Sequence, residues 1–173
     1  MITNVPYLAR GKQGEILRNF CENNYKAAKN ELSTVFLERC LEFCSDEGNI
    51  SLVIPQNWMF LTSYKQLRKK LLSGSRWNLI VRLGFDDFDI MDWWAFNTSL
   101  ISITRCEEWD TPLFTQKRES HRMCGVDVSS PRTVAEKAIQ LITAEIRSLE
   151  QVKQLKNQDS QVTLEEWGEH ELL

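Results

Sequence analysis

Near the amino terminus, Asn4-Val5-Pro6-Tyr7 combines side chains suited to gripping a flat, amide-like group. The Asn4 carboxamide oxygen accepts hydrogen bonds, and the neighbouring Val5 carbonyl is a second acceptor. Two acceptors converging on an exocyclic amine would hold it and raise electron density on its nitrogen. Pro6 stiffens the turn, and Tyr7 offers a face on which a base could stack. Taken alone, Asn-x-Pro-Tyr reads first as a structural turn. Its chemistry depends on its surroundings.

Little else offers classical acid–base catalysis. His121 and His170 stand in polar surroundings near no plausible nucleophile or ligand cluster, which argues against zinc and Ser-His-Asp chemistry. The seven glycines form no Gly-x-Gly-x-x-Gly or phosphate-loop pattern. Asp86, Asp87, Asp89 and Asp92 could chelate a cation. A solvated acidic loop is the simpler reading of them, and no metal is expected. The five cysteines include no C-x-x-C pair and read as reduced, buried thiols.

The chain of 173 residues is 42% hydrophobic and 26% charged, as expected of one soluble, cytoplasmic domain. Its net charge of -3 excludes a wholly basic nucleic-acid binder, but the charge is unevenly placed. Between Leu61 and Arg82 stand Lys65, Arg68, Lys69, Lys70, Arg76 and Arg82 without an acid, whereas from Gln161 onward there are acids and no Lys or Arg. Lys65, Arg68, Lys69 and Lys70 are candidates for tracking DNA phosphates. The simpler alternative is a solvated helix face with all of them projecting outward.

These residues need elements to position them. Apolar spacing predicts a helix over Glu31–Cys44 and a buried strand over Asn49–Ile54. A second helix runs to Leu72 from a cap at Thr62 or Ser63, and a second strand covers Trp77–Leu83. The acidic, aromatic stretch Phe85–Phe96 reads as a loop leading into a third strand, Asn97–Thr104, which would make the last two strands antiparallel. The order fits part of an α/β sheet. Beyond Arg105, a helix over Arg132–Leu149 is expected, with Val134, Ala138, Ile139, Ile142, Ile146 and Leu149 as its inner stripe. A linker over Leu155–Ser160 and a poorly anchored tail follow. The division is 1–105, the catalytic part, and 106–173, linker, helix and flexible acidic tail.

In this context Asn4-Val5-Pro6-Tyr7 resembles motif IV, Asn-Pro-Pro-Tyr, of the N6-adenine branch of the amino-group DNA methyltransferases. NVPYLARGKQ, VIPQNWMFLTSYKQLRKKLL and AFNTSLISIT are most similar to the adenine-specific methyltransferases of bacteriophage-exclusion (BREX) defence systems. The stretch from Gly125 to Asp159 is also similar, so the likeness covers nearly the whole chain. It implies the C-terminal half of a Rossmann-like, S-adenosylmethionine-dependent methyltransferase sheet with a helical C-terminal extension. A flipped adenine would present its N6 hydrogens to the Asn4 side chain and the Val5 carbonyl and would stack on Tyr7. An aromatic from the later loop would cover its other face: Phe88 is favoured by position, with Phe85, Trp93, Trp94 and Phe96 as competitors. The amine would then attack the methyl group of S-adenosylmethionine.

Two departures qualify the likeness. Val5 stands where the family has its first Pro, which keeps the carbonyl but loosens the loop. Only Met1-Ile2-Thr3 precede Asn4, so the family's donor-binding Phe-x-Gly-x-Gly strands are expected on a separate chain, or absent because the gene is truncated. The isolated chain is therefore expected to be inactive. The competing expectations are an inert remnant and a non-enzymatic interaction module docking through the helix after Pro131.

Overall fold

The computed structural model describes residues 1–84, 97–106, 120–131 and 133–164. Within them β1 (Ile2–Asn4), β2 (Asn49–Pro55), β3 (Ser75–Gly84), β4 (Thr98–Arg105), β5 (Arg122–Asp127) and β6 (Arg147–Glu150) form one mixed sheet in the order β1-β2-β4-β3-β5-β6. β1 is parallel to β2 and β5 to β3, whereas β4 lies antiparallel to both β2 and β3. β1, β2, β3 and β5 therefore run the same way, and their carboxyl ends share one edge of the sheet. β6 runs antiparallel to β5.

The helices are α1 (Glu15–Asn24), α2 (Leu32–Phe43), α3 (Lys65–Gly74), α4 (Val134–Thr143) and the single turn α5 (Gln151–Gln154). α2, α3, β2, β3 and β4 fall where hydrophobic spacing predicts them, and β3 and β4 are antiparallel as expected. In β2, Ile50, Leu52 and Ile54 point into the core, while Ser51 and Val53 remain half-buried. Trp58 and Trp77 are almost wholly buried and meet at 5.6 Å between ring centroids, with the Trp77 indole N–H donating to the Leu71 carbonyl.

The region after Arg105 departs from expectation. The helix expected over Arg132–Leu149 spans Val134–Thr143, capped by Thr133, and Ala144 leaves helical geometry at ψ 143. Residues Arg147–Glu150 are instead a strand, whose Leu149 is buried against Met123 of β5. The expected inner stripe faces outward: Ile139, Ile142 and Ile146 are exposed, and Lys137 is the buried residue of α4. β5 was not expected at all. Gly125 admits the tail here, because a Cβ on it would lie 2.7 Å from Leu164.

Leu155–Ser160, read as linker, packs against the body of the protein. Thr62, one of the expected caps of α3, hydrogen-bonds Asp159 instead (3.0 Å), and Val162 donates its amide to the Met59 carbonyl. Val162 and Leu164 are buried.

Candidate active site

The carboxyl edge of the sheet gathers Asn4 from β1, Gln56 beyond β2, Arg82 of β3 and Asp127 of β5. The chain also leaves β3 at Gly84 and re-enters β4 at Thr98 on this edge, with both residues in register. Gly84 has φ 84, a left-handed conformation, and a Cβ there would meet Ser129 at 2.8 Å.

Within the motif-like loop the side chains divide by environment. Val5 is buried in the core, Tyr7 packs half-buried against that core, and Asn4 and Pro6 are exposed. Val5 thus anchors the loop by burial where a second Pro would stiffen it covalently. The following strap is stitched to the start of α2. The Leu8 amide donates to the Glu31 carboxylate, and the Leu8 carbonyl accepts from the Leu32 amide (3.0 Å) and the Gln13 carboxamide (3.1 Å). The Arg10 amide bonds the Asn30 carbonyl at 2.9 Å. Burial pushes the Glu31 carboxyl up, opposed by amides of Leu8, Leu32 and Ser33 and by nearby Lys12.

A polar chain crosses the same edge. Arg82 pairs with Asp127 at 3.1 Å, reaches Gln56 at 3.4 Å and lies over the Phe60 ring at 5.2 Å. Asp127 in turn accepts from the Ser129 amide (3.0 Å) and hydroxyl (2.6 Å). No sequence signal groups Gln56, Arg82 and Asp127: Gln56 lies within VIPQNWMFLTSYKQLRKKLL, Arg82 closes the basic segment, and nothing around Asp127 distinguishes it before β5 is paired with β3.

The expected stacking aromatics Phe85, Phe88 and Trp93, together with Trp94 and Phe96, lie outside the described residues. The α3 cations are placed but not grouped. Arg68 is fully buried, which corrects the outward-facing expectation. Its guanidinium donates to the carbonyls of Trp58, Leu61, Asp159 and Ser160 at 2.6–3.3 Å. Lys65 pairs with Asp159 at 2.8 Å, Lys70 pairs with buried Glu38, and Lys69 is exposed.

S-adenosylmethionine would need partners for its carboxylate, amine and ribose beside Asn4. A cleft of about 220 Å³ lies between α2 and α3, lined by Glu38, Leu71 and Arg105 among others, at the opposite edge of the sheet. A shallow apolar hollow lies on α1 around Ile16 and Phe20. Neither is lined by Asn4. Asp46, Glu47 and Cys106 are close enough together to share a cation, but Glu47 is already paired with Arg76 at 2.5 Å.

Asn4 is thus exposed at the carboxyl edge of an open α/β sheet, the edge at which sheets of this kind commonly bind their ligands. The chain belongs to the Eco57I restriction-modification methylase family, whose model matches residues 1–89. It is 35% identical over 79 residues to the adenine-specific methyltransferase PglX of Lacticaseibacillus casei (strain Zhang), covering 46% of this chain and 6% of that protein. It is 29% identical over 85 residues to the adenine-specific methyltransferase BrxX of Escherichia coli O9:H4 (strain HS), covering 49% of this chain and 7% of that one. The fold matches the ATP-dependent Type ISP restriction-modification enzyme LlaBIII bound to DNA, with a TM-score of 0.59 and 16% identity over 81% of this chain and 10% of that enzyme. The chain thus spans a small part of each relative's length. Among the described residues, no helix is long and apolar enough to cross a membrane.

Proposed function

We propose that the chain supplies the target-base side of a DNA adenine methyltransferase acting in restriction-modification or phage defence in the cytoplasm. The observation that carries this reading is the division within Asn4–Tyr7: Val5 is held in the core, leaving the Asn4 carboxamide exposed at the carboxyl edge. Asn4 and the Val5 carbonyl accept the adenine N6 hydrogens, and Tyr7 stacks on the base. An aromatic among Phe85, Phe88 and Trp93 closes the other face. S-adenosylmethionine is held by protein outside these residues, on a separate chain or a neighbouring segment. The outer edge of β1, where Ile2 is exposed, suits such a neighbour. Family membership, the relatives' names and the DNA-bound fold match all support this reading.

The test is reconstitution with a donor-binding segment carrying Phe-x-Gly-x-Gly. The assembly should methylate adenine-containing DNA but not DNA whose adenines are replaced by hypoxanthine, which lacks the exocyclic amine. Methylation of both DNAs, or of neither, contradicts the reading. For the chain alone, calorimetric titration with S-adenosylmethionine should give no heat.

One observation favours a second reading, an interaction module: Ile142 on α4 is 87% exposed beside Ile139 and Ile146. On that reading, which is non-enzymatic, the chain reconstituted with the donor-binding segment produces no methylated DNA. Recovered methylation would remove it.

A further inference from the structure

The strap after Tyr7 is surrounded by cations. Residues 7–31 carry Arg10, Lys12, Arg18, Lys26 and Lys29 against Glu15, Glu22 and Glu31, a local excess in a chain whose net charge is -3. Of the three acids, Glu31 is occupied by the amides of Leu8 and Leu32. Arg10 contacts Glu22 at 2.5 Å, and Arg18 and Lys29 also lie within its electrostatic reach. Lys12 lies within reach of Glu31. Arg10 and Lys12 are exposed, and their backbone is fixed by the bonds that join the strap to α2. Cations on an immobilised backbone lose less freedom on meeting a ligand than those on a mobile one.

We propose that Lys12, Arg18 and Lys29, ranged about the Arg10–Glu22 pair, form a basic collar that holds the DNA phosphates flanking the extruded base, in place of the α3 lysines. The inference rests on the functional reading above and names its nucleic-acid surface. A base lifted out of a duplex remains attached to its backbone, so phosphates must lie beside the loop that receives it. Duplex DNA carries a charge about every 3.4 Å along each strand, so cations on a strap that follows Tyr7 directly in the chain can meet several of them. The α3 cations are less suited. Arg68 is bound to carbonyls, Lys65 to Asp159, and Lys70 to a glutamate lining the cleft at the opposite edge.

The experiment is fluorescence anisotropy of a labelled duplex over a series of salt concentrations. It compares the wild-type chain with Lys12→Gln/Lys29→Gln and with Lys65→Gln/Lys69→Gln. Arg18→Gln serves as a further collar variant should the first fail to fold, as judged by circular dichroism. The wild type should bind with a negative slope of log affinity against log salt. Each collar cation removed should shallow that slope by about 0.9, and the α3 pair should leave it unchanged. The proposal is overturned if the collar variants match the wild type, if the α3 pair alone shallows the slope, or if the wild type does not bind at the lowest salt. Repeating the titration with hypoxanthine-substituted DNA separates the two claims. Equal wild-type affinity for both DNAs counts against the base reading, while a shallower slope in the collar variants sustains the phosphate surface.

Discussion

At the scale of single residues, the candidate loop works by opposing fates for neighbouring side chains. Burying Val5 fixes the backbone that presents the Asn4 carboxamide and the Val5 carbonyl. Val5→Ala should destabilise the fold by about 1–2 kcal/mol, from lost burial and the small void left behind. Asn4→Ala, at an exposed position, should change stability by less than about 0.5 kcal/mol. Urea unfolding of both variants checks this, and a large stability loss from Asn4→Ala would mean that Asn4 is a structural residue. The Asn-x-Pro-Tyr pattern was legible in sequence because its residue types are chemically specific. The inward turn of Val5 was not, since that depends on a core assembled from distant strands. Gln56, Arg82 and Asp127 were missed for the same reason: their grouping exists only once β2, β3 and β5 share an edge.

At the scale of elements, periodicity located α2, α3, β2, β3 and β4 because each presents a clear apolar face to the core. It misled where charge and position disagree. Arg68 stands on the inner stripe of α3 with Tyr64, Leu67, Leu71 and Leu72, and its position rather than its charge decided its fate. There it ties three segments together through the carbonyls of Trp58, Leu61, Asp159 and Ser160. Arg68→Ala should cost about 3–5 kcal/mol, because it strands buried carbonyls without a donor. Hydrogen exchange should report faster opening of residues 58–61 and 159–162 together; opening of only one segment would contradict the clamp. The opposite error affected α4. Its apolar period suggested an inner face over eighteen residues' worth of chain, roughly five helical turns, yet β5 and β6 claim Leu149 for the sheet and leave Ile139 and Ile142 outside. Gly125 hid β5, since glycine weakens a strand signal.

At the scale of the whole molecule, the sheet presents Asn4 at its carboxyl edge, with β1 as its outer strand among the described residues. The architecture was legible because helix and strand patterns alternate along the first two thirds of the chain. The continuation of the sheet through β5 and β6 required pairings that no local pattern announces. Central to the proposed function is that Asn4 receives the amine of a target adenine. The most direct measurement is mass-spectrometric detection of N6-methyladenine in DNA incubated with S-adenosylmethionine and the chain reconstituted with a donor-binding segment. Wild-type chain should produce it, and a correctly folded Asn4→Ala chain should produce none. Wild-type levels of N6-methyladenine from Asn4→Ala would contradict the account.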